Sequence, residues 1–125
     1  MAKIIIVDDD KNYRSSLRRL LVDLDYEVIV AENGNEALES LQENPADIVI
    51  TDIFMPDKDG LELIMELKKK SHTAKIIAIS GSITQHNVKM SMLQQAKSLG
   101  ADSIIKKPFK NEQLLSAIKN ILNAE

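Results

Sequence analysis

The chain has 125 residues, 44% of them hydrophobic and 28% charged, which is the size and balance of one globular domain around one core. Sixteen basic against nineteen acidic side chains leave a net charge of −3, so no global basic footprint marks it for nucleic acid or an anionic membrane, although a local patch stays open. There is no cysteine, which excludes disulfides, thiolate metal sites and cysteine nucleophiles.

Met1-Ala2-Lys3 runs directly into a strand-like stretch without a signal-peptide pattern. The longest apolar runs, such as Ile4–Val7 and Ile48–Ile50, are too short to span a bilayer, so a cytoplasmic protein is expected. Lys3–Val7 reads as a buried strand, ended by Asp8-Asp9-Asp10. Leu17, Leu20, Leu21 and Leu24 follow at helical spacing and give one apolar face. Tyr26–Ala31 is a second strand, closed by the turn signal Asn33-Gly34. Ala37, Leu38 and Leu41 mark a short helix, and Ala46–Thr51 a third strand ended by Asp52. A loop from Met55 to Gly60 leads to a helix carrying Leu61, Ile64 and Leu67. Lys75–Ser80 is a fourth strand, followed by Gly81. Val88 to Leu99 is helical, with Gly100 as its C-terminal cap. Ser103–Ile105 is a short fifth strand running into Lys106-Lys107-Pro108. Leu114, Leu115, Ile118, Ile121 and Leu122 make the last helix.

Five β/α units with near-continuous apolar strands imply an α/β protein: a (βα)5 doubly wound, five-stranded parallel sheet covered on both faces. In such sheets ligands sit at the carboxyl ends of the strands, beside the topological switch point. The residues there are Asp8-Asp9-Asp10, Asp52, Ser80 and Lys107. Each alone has an ordinary structural explanation. An acid after a strand often caps the next helix, and Asp10 is the best candidate for that. Ser80 alone is a strand-to-turn hydroxyl, and Lys107 alone a solvated lysine like Lys106. Together they make chemical sense. Converging carboxylates repel, and burying them costs of order several kcal/mol each unless charge compensates. A hard divalent cation such as Mg²⁺, or Mn²⁺, supplies compensation through oxygen ligands. One carboxylate is then free to attack phosphorus, with a cation and a hydroxyl to receive the developing charge.

These residues resemble the receiver domain of two-component response regulators, over essentially the whole chain. Ile4-Ile5-Ile6-Val7-Asp8-Asp9 is similar to that family's first strand with its acidic pair. The stretch from Ile48 to Gly60 is similar to the phosphoacceptor strand and its Met-Pro…Asp-Gly loop. Ile77-Ala78-Ile79-Ser80-Gly81 is similar to the strand with the switch hydroxyl, and Lys106-Lys107-Pro108-Phe109 to the Lys-Pro-Phe motif. The resemblance implies a flavodoxin-like receiver fold over residues 1–125, with no output domain, of the stand-alone chemotaxis-regulator or sporulation-relay kind. It implies Asp52 as phosphoacceptor, Asp9 as a direct ligand of Mg²⁺, and Asp8 acting largely through metal-bound water. Asp52 and the backbone carbonyl of Phe54 would complete the protein's ligands. Lys107 would pair with Asp52 and then with the phosphoryl group, Ser80 would hydrogen-bond it, and the Lys107-Pro108 bond would be cis.

The implied partners are a sensor histidine kinase or histidine phosphotransfer protein as donor, and an unidentified downstream protein. The donor would dock near the first helix, and the fourth helix, fifth strand and fifth helix would form the output face. No direct nucleic-acid or membrane partner is expected. The protein would be a monomer, with dimerisation on phosphorylation left open, and no enzyme beyond catalysing its own phosphorylation and dephosphorylation.

The sequence departs from the family in places. Ile104 stands where an aromatic switch residue is common, so any coupling from Ser80 uses aliphatic repacking or backbone movement. The segment from Ser80 to Lys107 is a few residues longer than usual, with the excess in the stretch Gly81 to Asn87, read as a tolerated surface insertion. His72 and His86 are read as solvated, and Met90 and Met92 as helix-face packing. Phe54 and Ser82 occupy positions that tune acyl-phosphate hydrolysis in the family, and a bulky Phe54 is expected to shield the phosphoryl group.

Three other readings fit the residues less well. A haloacid-dehalogenase-like phosphatase would use the Asp-x-Asp within Asp8-Asp9-Asp10, but Lys11-Asn12 replace the residues that normally follow. An FMN binder needs a hydroxyl- and Gly-rich loop where this chain has an acidic triplet. A phosphate-independent pseudo-receiver usually lacks an acid or the lysine, and all are present here.

Overall fold

β-branched residues lose little by being held extended, and runs of them make strands that can be buried on both faces. The computed structural model of the chain describes residues 2–53, 60–70, 73–80, 94–107 and 109–123, with Ser80 described by its backbone alone. The elements are β1 (Lys3–Val7), α1 (Lys11–Asp23), β2 (Glu27–Ala31), α2 (Gly34–Glu43), β3 (Ile48–Asp52), α3 (Gly60–Lys69) and β4 (Lys75–Ser80). A helical stretch at residues 94–99 (α4), β5 (Ser103–Lys106) and α5 (Asn111–Asn123) complete the order. The strands pair in parallel, in the order β2-β1-β3-β4-β5. The expected doubly wound sheet is therefore the one that forms, and its switch point lies between β1 and β3. No helix among the described residues is long and apolar enough to cross a membrane.

The side-chain period of two divides each strand between two cores. Ile5, Val7, Val49, Ile76 and Ala78 pack with Leu38 and Leu41 of α2, Leu63 and Leu67 of α3, and Ala96 of α4. Ile4, Ile6, Ile48, Ile50, Ile77 and Ile79 pack on the other face with Leu17 and Leu21 of α1 and Leu114 and Ile118 of α5. Burial of a side chain of this size contributes about 1.5–3 kcal/mol. A central sheet packed from both sides is a stiff platform for the residues at its strand ends.

Several boundaries differ from the sequence expectation for local reasons. β2 starts at Glu27 because the Tyr26 N–H donates to the Leu21 carbonyl (3.1 Å) and closes α1. β3 starts at Ile48, since Asp47 is occupied at the sheet's lower edge, where its carboxylate accepts from the Lys3 N–H at 2.8 Å. β3 also keeps Asp52 in register with Ile79, so this acid is the last strand residue and not the first loop residue. Asn33-Gly34 is no turn: Asn33 is the N-cap of α2, its side chain accepting from the Glu36 N–H at 2.9 Å. In α3, Leu63 is buried along with Ile64 and Leu67. Residues 88–93 of the expected fourth helix lie outside the described residues.

Gly100 caps α4 as expected. Its φ is +117°, and two backbone bonds, Gly100 N–H to Lys97 O (3.1 Å) and Ala101 N–H to Ala96 O (3.0 Å), close a Schellman motif. α1 ends in the same pattern, with Asp25 N–H to Val22 O (2.9 Å) and Tyr26 N–H to Leu21 O (3.1 Å), but the left-handed residue is Asp25, at φ 71°. Aspartate tolerates that region at a cost that glycine escapes. Asp25→Gly is therefore expected to raise stability by about 0.5–1 kcal/mol, the relief exceeding the added chain entropy. Urea unfolding would register this as a higher midpoint at unchanged slope. Gly60 works in the opposite sense. A Cβ there would lie 2.3 Å from the Asp52 carbonyl oxygen and 2.7 Å from Ile53 Cα, both backbone atoms that cannot swing away. Gly60→Ala should cost about 1–3 kcal/mol in the same measurement.

Candidate functional site

β1 and β3 are neighbours running the same way, so the residues at their carboxyl ends meet. Asp8 follows β1 and Asp52 ends β3, and both are buried, at 3% and 7% exposure. Asp9 is exposed beside them. One oxygen from each of Asp8, Asp9 and Asp52 lies within 4.8 Å of the others. Lys107, just beyond β5, reaches into the group. Its Nζ stands 3.5 Å from Asp52 Oδ2 and 3.6 Å from Asp8 Oδ2. These distances are ion-pair contacts, longer than the roughly 2.7–2.9 Å of a direct charge-assisted hydrogen bond.

The start of α1 fixes the acidic triplet. Asp10 caps the helix, its side chain accepting from the N–H groups of Asn12 (2.9 Å) and Tyr13 (3.2 Å). The Asp10 N–H in turn donates to Asp8 Oδ1 at 2.9 Å. Asp10 is thus the structural member that the sequence predicts. Asp-x-Asp chemistry through Asp8 and Asp10 has no support here, because the Asp10 carboxylate is committed to the helix end.

Burial pushes the Asp8 carboxyl up to about 6. The Asp10 N–H and the Lys107 ammonium pull it back down, while Asp52 and Asp9 add repulsion. Burial thus makes Asp8 easier to protonate than an ordinary carboxylate. The donor set is three carboxylates, all hard oxygen ligands, and Lys107 offsets one of their charges. That chemistry fits a small hard divalent cation, for which Asp8, Asp9 and Asp52 would be the protein ligands.

Two residues not singled out from the sequence complete the surroundings. Arg14 donates from Nη1 to the Asp8 carbonyl at 2.8 Å, and its Nη2 lies 3.7 Å from Glu32 Oε1, which ties the end of β1 to α1 and to the residue after β2. Tyr13 places its ring face 3.7 Å from Lys107 Nζ, and the edge-to-face ring of Phe109 lies 6.3 Å from it. Burial, then the charges of Asp8 and Asp52, push the Tyr13 phenol above its ordinary value, so it stays neutral. The only sequence signal for this pair is their place in the first turn of the helix that Asp10 caps.

Other predicted residues are placed less fully. The Ser80 backbone pairs with Lys106 at the ends of β4 and β5, the same end of the sheet as Asp52. The Phe54 carbonyl, the Met-Pro loop at residues 55–59, Ser82, the 81–87 stretch, His72, His86, Met90, Met92 and Pro108 with its peptide bond lie outside the described residues. Lys106 is exposed, as expected for a solvated lysine, and Ile104 is half-buried against the core that α2 and α3 share.

Comparison with known proteins agrees with this geometry. The family model described as "Response regulator receiver domain" matches residues 4–119. Chemotaxis protein CheY of Listeria monocytogenes is 38% identical over 120 residues, 95% of this chain and 97% of its own. Chemotaxis protein CheY of Bacillus subtilis is 38% identical over 122 residues, covering 97% and 98%. A response regulator receiver domain protein from Clostridium thermocellum superposes with a TM-score of 0.89 at 29% identity, over 99% of this chain and 96% of that one. A parallel sheet with a carboxylate cluster and a lysine at its switch point, matched along nearly its full length, makes this chain a member of the response regulator receiver domain family.

Proposed function

We propose that the protein accepts a phosphoryl group on Asp52 from a phosphohistidine, in a reaction that depends on Mg²⁺ or Mn²⁺. The observation that carries this reading is the convergence of Asp8, Asp9 and Asp52 within 4.8 Å, with the Lys107 ammonium 3.5 Å from Asp52. An Asp52 carboxylate oxygen forms the new O–P bond as the P–N bond to the donor imidazole breaks, and the imidazole leaves with that electron pair. Lys107, held at the end of β5, neutralises charge on the phosphoryl oxygens as they approach. Asp8 and Asp9 would hold the cation with Asp52, and the cation would offset the negative charge of carboxylates and phosphoryl oxygens alike. Ser80, at the end of β4, is assigned the hydrogen bond to a phosphoryl oxygen, and the Phe54 carbonyl a further cation contact.

On this reading the protein is a switch and not an enzyme with a separate substrate. The donor is a sensor histidine kinase or histidine phosphotransfer protein docking near α1, and the acyl phosphate biases the α4–β5–α5 face toward a protein target. Membership of the receiver family supports a cytoplasmic place of action.

Incubation with acetyl phosphate should add one phosphoryl group to the intact mass, in a Mg²⁺-dependent way, and Asp52→Asn should abolish it. Failure with both acetyl phosphate and a phosphohistidine donor would favour the pseudo-receiver. An adduct surviving in Asp52→Asn would move the nucleophile elsewhere.

The position of Asp8 gives a second expectation. Its carboxyl titrates near 6 when folded against 3.8 ordinarily, so between those values the folded state keeps a proton that the unfolded chain has lost. Stability of the metal-free protein should therefore fall as pH rises from about 4 to about 6, and level off above. Asp8→Asn should flatten that slope. Mg²⁺ affinity should run the other way, weakening as pH drops below about 6 and protons compete for Asp8. Denaturant melts and Mg²⁺ titrations across this range check both.

A further inference from the structure

We infer that Tyr13 is a positioning residue for Lys107, holding its ammonium midway between Asp8 and Asp52 through the face of its ring. The inference deepens the phosphoryl-acceptance reading and rests on it.

The geometry of Lys107 raises the question. A lysine near buried carboxylates ordinarily closes onto one of them in a hydrogen bond of roughly 2.7–2.9 Å. Here Nζ stays 3.5 Å from one carboxylate and 3.6 Å from the other. The ring of Tyr13 takes another side of the ammonium, at 3.7 Å from Nζ to the ring centroid. That distance is well inside the roughly 6 Å reach of a cation–π contact, which is stronger for a desolvated cation. The Lys107 side chain is 19% exposed, so water competes weakly.

The ring itself is held on two sides. Its backbone N–H is bonded to the Asp10 cap (3.2 Å), which fixes the first turn of α1. Phe109, two residues after Lys107, meets it edge-to-face at an interplanar angle of 89°. The residue that holds the lysine is thus itself braced by the segment that carries the lysine. The phenol oxygen is buried with no hydrogen-bond partner among the described residues. The contact this side chain makes with the site is through its ring face, directed at the Lys107 ammonium.

Positioning matters because Lys107 has two tasks. Before transfer it offsets Asp8 and Asp52 together, and during transfer it must meet phosphoryl oxygens growing from Asp52. An ammonium collapsed onto Asp8 would have to break a strong contact first. A contact with the ring face holds the charge in place without occupying a carboxylate.

The test compares Tyr13→Leu, which removes the π face but keeps apolar bulk, with Tyr13→Phe, which keeps the face and removes the hydroxyl. Phosphorylation by acetyl phosphate at saturating Mg²⁺ is followed for each, and the Lys107 side-chain protons are observed by NMR, assigned by their loss in Lys107→Met. The expected result is ring-current-shifted Lys107 protons in the wild type and in Tyr13→Phe, but not in Tyr13→Leu. Tyr13→Leu should lower the maximal phosphorylation rate about tenfold while Tyr13→Phe stays near wild type. Unshifted Lys107 protons in the wild type would overturn the inference without any Tyr13 variant, which keeps it decidable should Tyr13→Leu fail to fold. So would a Tyr13→Leu rate equal to wild type, or a Tyr13→Phe loss as large as that of Tyr13→Leu. A wild type that takes up no phosphoryl group would sink the phosphoryl-acceptance reading instead, and the spectrum would still decide where Lys107 sits.

Discussion

The repulsion among Asp8, Asp9 and Asp52 is the constraint to which the rest of this structure answers. Water would screen these charges, but two of the three carboxylates are buried at 3% and 7% exposure. The fold does not remove the repulsion; it contains it. An amide donates to Asp8, an ammonium stands between Asp8 and Asp52, and a guanidinium clamps the carbonyl of Asp8. Even so, the Asp8 carboxyl sits at about 6, which records that burial outweighs these favourable contacts. A protein selected for stability alone would replace such a cluster with apolar residues. On the proposed reading, an added cation and an added phosphoryl group change the electrostatic balance of these three acids and the lysine beside them.

Containing repulsive charges requires a support that does not yield. The six isoleucines at positions 4, 6, 48, 50, 77 and 79 line one face of the sheet, and Ile5, Val7, Val49, Ile76 and Ala78 line the other. Two-sided packing at the density of a protein interior resists small displacements. Gly60 adds a local restraint, bringing the start of α3 against the backbone of Asp52 and Ile53 so closely that a methyl group has no room. The carbonyl of Ile53 accepts from the Gly60 N–H at 2.9 Å, which joins the end of β3 to the start of α3. Asp52 is therefore fixed by the strand behind it and by the helix in front of it.

How much of this was legible in the sequence depended on the range of the interaction. The strands were readable because Ile4–Val7 and Ile76–Ile79 are continuous apolar runs, and their ends followed from the Asp8-Asp9-Asp10 and Ser80-Gly81 that stop them. Asp8, Asp9, Asp52 and Lys107 could be brought together on paper because ligands in parallel sheets gather at one end. Local capping was only partly legible. Asp10 and Gly100 were readable, but Asn33-Gly34 passes equally for a turn or a helix start, and only the bond from Glu36 decides it. Nothing in the sequence marks Asp25 as left-handed, since aspartate is common in ordinary turns as well. Tyr13 and Arg14 were hidden for a different reason. Their roles lie in contacts to Lys107 and to the Asp8 backbone, and no periodicity encodes a contact between the first turn of one helix and the end of a distant strand.

The replacement of an aromatic residue by Ile104 bears on how a change at Asp52 would travel. Ile104 pairs in register with Ala78, and its side chain packs into the core shared with α2 and α3. An isoleucine in that core has few rotamers and cannot swing between core and solvent as a ring on a single hinge can. Lys107 lies three residues further along the same segment and is in direct ion contact with Asp52. On the proposed reading, any demand that a phosphoryl group makes on Lys107 pulls first on the end of β5 and on the Phe109–Tyr13 ring pair beside it. Tyr13 and Phe109 thus meet beside the lysine, on the α1 and α5 side of the sheet, and not at residue 104.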